Sequence, residues 1–213
     1  MKIVCISDTH LQVGKKFKLP VGDVLIHAGD GTGRGSLREL ATFADWFARL
    51  PHKHKILIAG NHDFGFQEDP ALCRTLFAGD GINYLEDSGV TIDGVKFWGS
   101  PWQPWFLDWA FNLPRGAALK AHWDLIPNDT DVLITHSPPY GILDTVASGE
   151  DVGCQDLRIA LARVKPKVHV FGHIHESYGR VQFGETLYVN AAVCDASYRP
   201  INKPQVVEIT TTP

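Results

Sequence analysis

Apolar runs too short for helices recur along the chain, each ending abruptly in polar residues. IVCI (3–6), VLIH (24–27), ILIA (56–59), VLIT (132–135) and VHVF (168–171) are rich in β-branched residues and read as buried strands. Between them the period changes. Leu37, Leu40, Phe43, Phe47 and Leu50 recur at helical spacing, and Ser36 with Glu39 forms a capping box, so 36–50 is predicted to be an amphipathic helix covering a sheet. Asp69-Pro70 starts a second helix through about residue 77, 117–125 reads as a third and 154–164 as a fourth. Residues 90–98 turn on Asp93-Gly94, a two-residue hairpin signal, and 178–183, 187–189 and 206–209 add β structure. The stretch 100–114, rich in Trp and Pro, carries too many large apolar groups for a linker and reads as a loop packed over something. Strands alternating with helices and then hairpins predict a chain of the α/β (α+β) class, with two β-sheets packed as a sandwich flanked by helices. A length of 213 residues suits one domain spanning 1–213.

Composition changes this picture little, but it narrows the function. With 44% hydrophobic and 21% charged residues the chain is an ordinary globular protein. A net charge of −4 argues against a broad basic groove tracking long nucleic acid and favours a small substrate. Cys5, Cys73, Cys154 and Cys194 lie far apart with no C-x-x-C pair, which predicts buried free thiols in a reducing compartment. The opening MKIVCISDTH holds too few apolar residues for a signal peptide, and nothing later approaches a membrane span, so the expected location is cytoplasmic.

Each strand run leads directly into residues able to ligate a metal. Asp8 and His10 follow the first, Asp30 the second, Asn61, His62 and Asp63 the third, His136 the fourth, and His173 and His175 the fifth. Residues two apart just past a strand point the same way, so Asp8 with His10, and His173 with His175, can each face one ion. A lone D-x-H or a lone histidine after a strand is more often structural. Five histidines recurring at strand ends form a joint pattern that packing does not explain. His27 and His169 lie inside strand runs, and His52, His54 and His122 in polar stretches, so these five are assigned structural roles. The glycines at 29, 31, 33 and 35 do not fit G-x-G-x-x-G, which excludes a dinucleotide loop.

As a set, D-x-H (8–10), GD (29–30), GNHD (60–63), TH (135–136) and GHIH (172–175) resemble, in order and spacing, the calcineurin-like metallophosphoesterases. SPWQPWF with FNLPRG, THSPPYG and FGHIHESYG are similar to the metallophosphoesterase-domain-containing branch and its bacterial relatives over almost the whole chain. The resemblance implies the αββα metallophosphoesterase fold and two divalent ions. Asp8, His10 and His175 would hold one, Asn61, His136 and His173 the other, and Asp30 would bridge them. It implies a catalytic role for His62, with Asp63 orienting its ring, and a phosphodiesterase acting on small, cyclic-nucleotide-like diesters through a metal-bridging hydroxide. Mixed oxygen and nitrogen donors without thiolate suit Mn, Fe, Zn or Ni better than Ca or Mg, and of these Mn is taken first. A phosphomonoesterase or protein phosphatase would use the same centre, and a nucleotide-binding scaffold is the rival of another class. Trp102, Trp105, Phe106 and Tyr140 are candidates for an aromatic wall with loop packing as the alternative, and Arg115 for phosphate binding with a structural role as the alternative. Oligomeric state has no signature in the sequence.

Overall fold

The computed structural model describes residues 1–12, 14, 17–79 and 81–210. The chain runs β1 (Lys2–Ile6), β2 (Val24–Ala28), α1 (Leu37–Ala48), β3 (His54–Ile58), α2 (Phe64–Glu68), α3 (Pro70–Leu76), β4 (Ile82–Tyr84), β5 (Ser88–Ile92) and β6 (Val95–Ser100). There follow β7 (Gln103–Pro104), β8 (Asn112–Leu113), α4 (Ala117–Trp123), β9 (Val132–Thr135), α5 (Gln155–Val164), β10 (Val168–Phe171), β11 (Gly179–Phe183), β12 (Thr186–Asn190) and β13 (Gln205–Glu208).

Two mixed sheets form, ordered β13-β1-β2-β3-β4 and β11-β12-β10-β9-β6-β5. Each holds four parallel strands, with an antiparallel strand at one edge of the first sheet, β13 on β1, and at both edges of the second, β11 on β12 and β5 on β6. Alternation along the strands then builds four layers. Ile3, Cys5, Ile26 and Ile56 meet Phe97, Val132, Ile134 and Val170 between the sheets. Val4, Ile6, Leu25 and Leu57 point outward beneath Leu40, Phe43 and Phe47 of α1. On the far side, Leu133 and Phe171 pack under Trp123 of α4 and Leu157 and Leu161 of α5. This is the αββα sandwich expected from the sequence. A run buried on both faces loses polar alternation, which is why these strands read as continuous apolar segments.

Local signals behave as their chemistry dictates. Ser36 and Glu39 close the capping box of α1, Asp69 accepts from the Leu72 amide to start α3, and Cys154 caps α5. Asp93 and Gly94 both take positive φ (46° and 80°), as a primed hairpin turn requires. All four cysteines are buried and unpaired. Several short elements went unpredicted: the single-turn α2, the three-residue β4, the β7–β8 ladder inside the 100–114 loop, and a 3-10 turn at His175–Ser177. Each is too short to show a period. Among the described residues no helix is long and apolar enough to cross a membrane.

The interior histidines are structural. His169, fully buried in β10, bonds the Thr135 hydroxyl at 2.8 Å through Nε2 and leaves Nδ1 without a partner. Burial pushes its pKa down to about 3 from 6.5. A depressed folded-state pKa gives stability that is present above the unfolded value and is lost as pH falls from about 6.5 toward the folded one. His169→Leu removes this linkage, and Thr135 keeps its bond to the Ser137 carbonyl. The variant is expected to lose less Tm than wild type between pH 7 and pH 4. Equal losses in thermal melts would show that His169 does not contribute.

Candidate metal centre

The ends of β1, β2, β3, β9 and β10 converge at one edge of the sandwich, and an isolated bridge between Ser7 and Ala192 ties the two sheets together there. Loops leaving the carboxyl ends of parallel strands are the usual site of ligand binding in such sheets. Asp8, His10, Asp30 and His173 all adopt left-handed backbone angles, φ 54°, 44°, 57° and 68°. Strain of this kind, about 1–3 kcal/mol per residue, persists where surrounding bonds over-determine it. Here the Asp8 and His10 amides donate to Gly29 and Asp30 carbonyls, and the His173 amide donates to the Asp8 carboxylate. Glycine before the ligand is obligatory at two turns. A Cβ on Gly172 would stand 2.0 Å from Asp8 Oδ2, and one on Gly60 would stand 2.2 Å from Asp30 Oδ1.

All seven residues predicted as ligands come together. Asp8 Oδ1 lies 3.2 Å from His175 Nε2 and 4.0 Å from His10 Nε2. Asn61 Oδ1 lies 2.9 Å from His136 Nε2 and 2.8 Å from His173 Nδ1. Between these sets sits Asp30, whose Oδ2 is 3.9 Å from His10 Nε2 and 3.3 Å from His136 Nε2. Three groupings have the reach of a metal site: Asp8, His10 and His175; His10, Asp30 and His62; and Asp8, Asp30 and His136. Asp8, His10 and Asp30 each belong to two of them.

Backbone carbonyls set the imidazole faces. Nδ1 donates to Thr32 from His10 (3.1 Å), to Ala28 from His136 (2.9 Å) and to Asp195 from His175 (2.9 Å), which turns each Nε2 toward the carboxylates. His10 Nε2 is buried and has no hydrogen-bond partner, although it faces two carboxylates. Donors each about 2.1 Å from one cation stand about 3–4 Å apart, depending on the angle. The observed separations have that range, and an unpartnered buried nitrogen aimed into the cluster is accounted for by a cation. The residues therefore fit a metal centre.

Electrostatics agree. Burial would raise Asp8 and Asp30, yet the facing imidazoles of His175 and His136 outweigh it and hold both carboxyls well below the usual range. Burial likewise lowers His136 and His175, but Asp30 and Asp8 reverse this and lift both rings to about 9. Carboxylates that draw protons onto two buried rings draw a divalent cation in their place, because neutral imidazole is the ligating form. His173, without its own carboxylate, is pushed down to about 4 by burial and by the neighbouring His136.

His62, outside the seven predicted ligands, groups with His10 and Asp30 at the edge of the cluster. Its Nδ1 donates to the Gly33 carbonyl at 2.7 Å, and its Nε2 lies 4.0 Å from Asp30 Oδ2. The expected orienting role of Asp63 is corrected here. The Asp63 carboxylate accepts from the amides of Gly60, Gly31 and Thr32 and from the Thr32 hydroxyl, and it does not bond the His62 ring. It fastens the 60–63 turn to the loop after β2, and burial beside Asp30 raises its pKa to about 6.

A cavity of about 210 Å³ opens over the cluster, lined by Asp30, Asn61, His62, His173 and His175 with Phe106, Trp109 and Tyr198 at its mouth. Trp109 and Tyr198 were not singled out from sequence. Trp109 lies in a stretch with several aromatic residues, none marked by spacing. Trp109 packs on His62 with centroids 4.3 Å apart, and Tyr198 meets His10 edge-on at 4.8 Å. Trp102 is a packing residue, donating to Asp87 at 2.8 Å and lying against His122. The Arg115 guanidinium is taken up by the Val152 and Gly153 carbonyls at 2.7 Å each. Tyr140 does not line the cavity.

A two-sheet sandwich with Asp, His and Asn side chains gathered at its strand ends is the arrangement expected of a metallophosphoesterase. The chain belongs to the calcineurin-like phosphoesterase family, whose model matches residues 1–177. That is a family of phosphoester hydrolases, typically dependent on two metals. The chain is 43% identical to metallophosphoesterase domain-containing protein 1 of Homo sapiens over 233 aligned positions, covering 99% of this chain and 71% of that protein. It is 43% identical to UPF0046 protein K07C11.7 of Caenorhabditis elegans, covering 98% and 75%. Among solved structures, TT1561 of Thermus thermophilus matches with a TM-score of 0.60 over 97% of both chains at 14% identity, a likeness of fold alone.

Proposed function

We propose that this chain is a dinuclear metal-dependent phosphodiesterase of the cytoplasm, acting on small diesters such as cyclic nucleotides, with one catalytic domain spanning 1–213. The observation that carries this reading is the gathering of seven donor residues at the strand ends, with Asp30 Oδ2 3.9 Å from His10 Nε2 and 3.3 Å from His136 Nε2. Asp8, His10 and His175 would hold one ion, Asn61, His136 and His173 the other, and Asp30 both. Two divalent ions there, Mn first with Fe, Zn or Ni as alternatives, would supply a nucleophilic water at neutral pH and neutralise phosphoryl charge.

The chain's own residues do the rest. His62 Nδ1 donates to the Gly33 carbonyl, so any proton the ring gives up leaves from Nε2, which faces the Asp30 edge of the cluster, and the ring would give it up as an imidazolium. From there it serves the leaving-group oxygen. Asp63 keeps the turn carrying His62 in register with Asp30, whose Oδ1 accepts the His62 amide at 2.8 Å. Residues after 177 belong to the same domain in this reading, since β11, β12 and β13 pair into the two sheets.

The diester preference is tested with metal-stripped protein given Mn, Fe, Zn, Ni or Mg in turn. Mn is expected to restore hydrolysis of bis-p-nitrophenyl phosphate at least about tenfold faster than that of p-nitrophenyl phosphate, a barrier difference of about 1.4 kcal/mol. A faster monoester would reassign the chain as a phosphomonoesterase. No activity with any metal would favour a binding module.

A further inference from the structure

The family match ends at residue 177, yet the chain beyond it returns to the metal centre. Asp195 accepts the His175 Nδ1 proton on its carbonyl, and three residues later the Tyr198 ring lies on His10. Trp109, His62, His10 and Tyr198 thus form a continuous row of rings, with successive centroids 4.3, 4.6 and 4.8 Å apart. Trp109 and Tyr198 end the row, and both line the cavity over the cluster together with Phe106.

Tyr198 is held where it is. Its amide donates to the Asp195 carbonyl at 2.8 Å, and the Asp195 carboxylate accepts the amides of Ser197 and Arg199 (2.9 Å each) and Arg199 Nε (2.8 Å). These bonds impose φ 58° on a bulky aromatic residue, a conformation such residues rarely adopt. Tyr198 nevertheless stays 45% exposed, and Phe106, lining the same cavity, is 61% exposed. Apolar rings fixed at the rim of a polar, metal-competent cavity present a flat surface to whatever enters.

We propose that Tyr198 contacts the organic substituent of the phosphoester, so that the loop after residue 190 selects substrates carrying a flat aromatic group. This rests on the phosphoesterase reading of the centre. The alternative role, a plain shield over His10 and His175, would make Tyr198 equally important for every substrate.

Phenylphosphonate and methylphosphonate separate the two, because neither is hydrolysed and both present the same anionic head. Calorimetry on the Mn-loaded chain is expected to show phenylphosphonate binding about tenfold more tightly, the scale of one ring stacking on an aromatic side chain. Tyr198→Ala should abolish this preference while leaving methylphosphonate affinity and metal content unchanged, and Tyr198→Phe should retain it. Equal affinities in wild type, a preference surviving Tyr198→Ala, or equal weakening of both ligands would overturn the proposal. An aryl preference lost in Tyr198→Ala, in a protein that hydrolyses no phosphoester, would support this role and defeat only the phosphodiesterase reading.

Discussion

His62→Ala is expected to lower turnover by about 10²- to 10⁴-fold, the range of general acid catalysis, while both metals are retained. The ring bonds neither Asn61 nor Asp8, unlike His136, His173 and His175, and its Nδ1 is tied to Gly33. Removing it deletes a proton donor and leaves the seven donors untouched. A donor to the leaving group matters most when that group is a poor one, so the loss should be small for p-nitrophenol and large for an alkyl alcohol. Elemental analysis checks the metals, and rates across leaving groups check the role. A uniform loss across leaving groups would rule out proton donation, and loss of metal would make His62 a ligand.

Asp30→Ala should do something different, emptying the centre before it slows chemistry. Asp30 Oδ2 faces His136, His10 and His62 at 3.3, 3.9 and 4.0 Å, which sets it against both halves of the cluster. Residues that merely support ligands change metal affinity about 10- to 100-fold, so deleting a shared ligand should cost at least about 100-fold. Metal content per chain should fall below two after dialysis, and activity with it. The metal-free variant also loses the partner of His136, which is fully buried and raised to about 9 by that carboxylate. Breaking a buried pair typically costs about 3–5 kcal/mol, reduced here because the ring can release its proton. Two retained ions, measured by elemental analysis, would remove Asp30 from its bridging position.

The strands and the ligand cluster were legible for the same reason. A parallel strand buried on both faces must be apolar throughout, so VLIT and VHVF announce themselves, and the polar residue that ends each run marks where the chain leaves the sheet. The helix at 36–50 was legible through its cap and its period. Short elements were not, because β4, β7, β8 and α2 owe their existence to neighbours rather than to local pattern.

By itself the sequence determined the αββα class and the Asp, His and Asn residues that the five strand ends bring together. These follow from local rules of periodicity and residue chemistry acting on segments of a few residues. Tertiary structure alone decided the pairings. It gave His62 to Gly33 rather than to its neighbour Asp63, spent Arg115 on the Val152 and Gly153 carbonyls, and set Trp102 against Asp87. It also carried Tyr198 from 188 residues downstream onto His10. Which donor meets which acceptor depends on how distant turns stack, and no spacing within one segment records that.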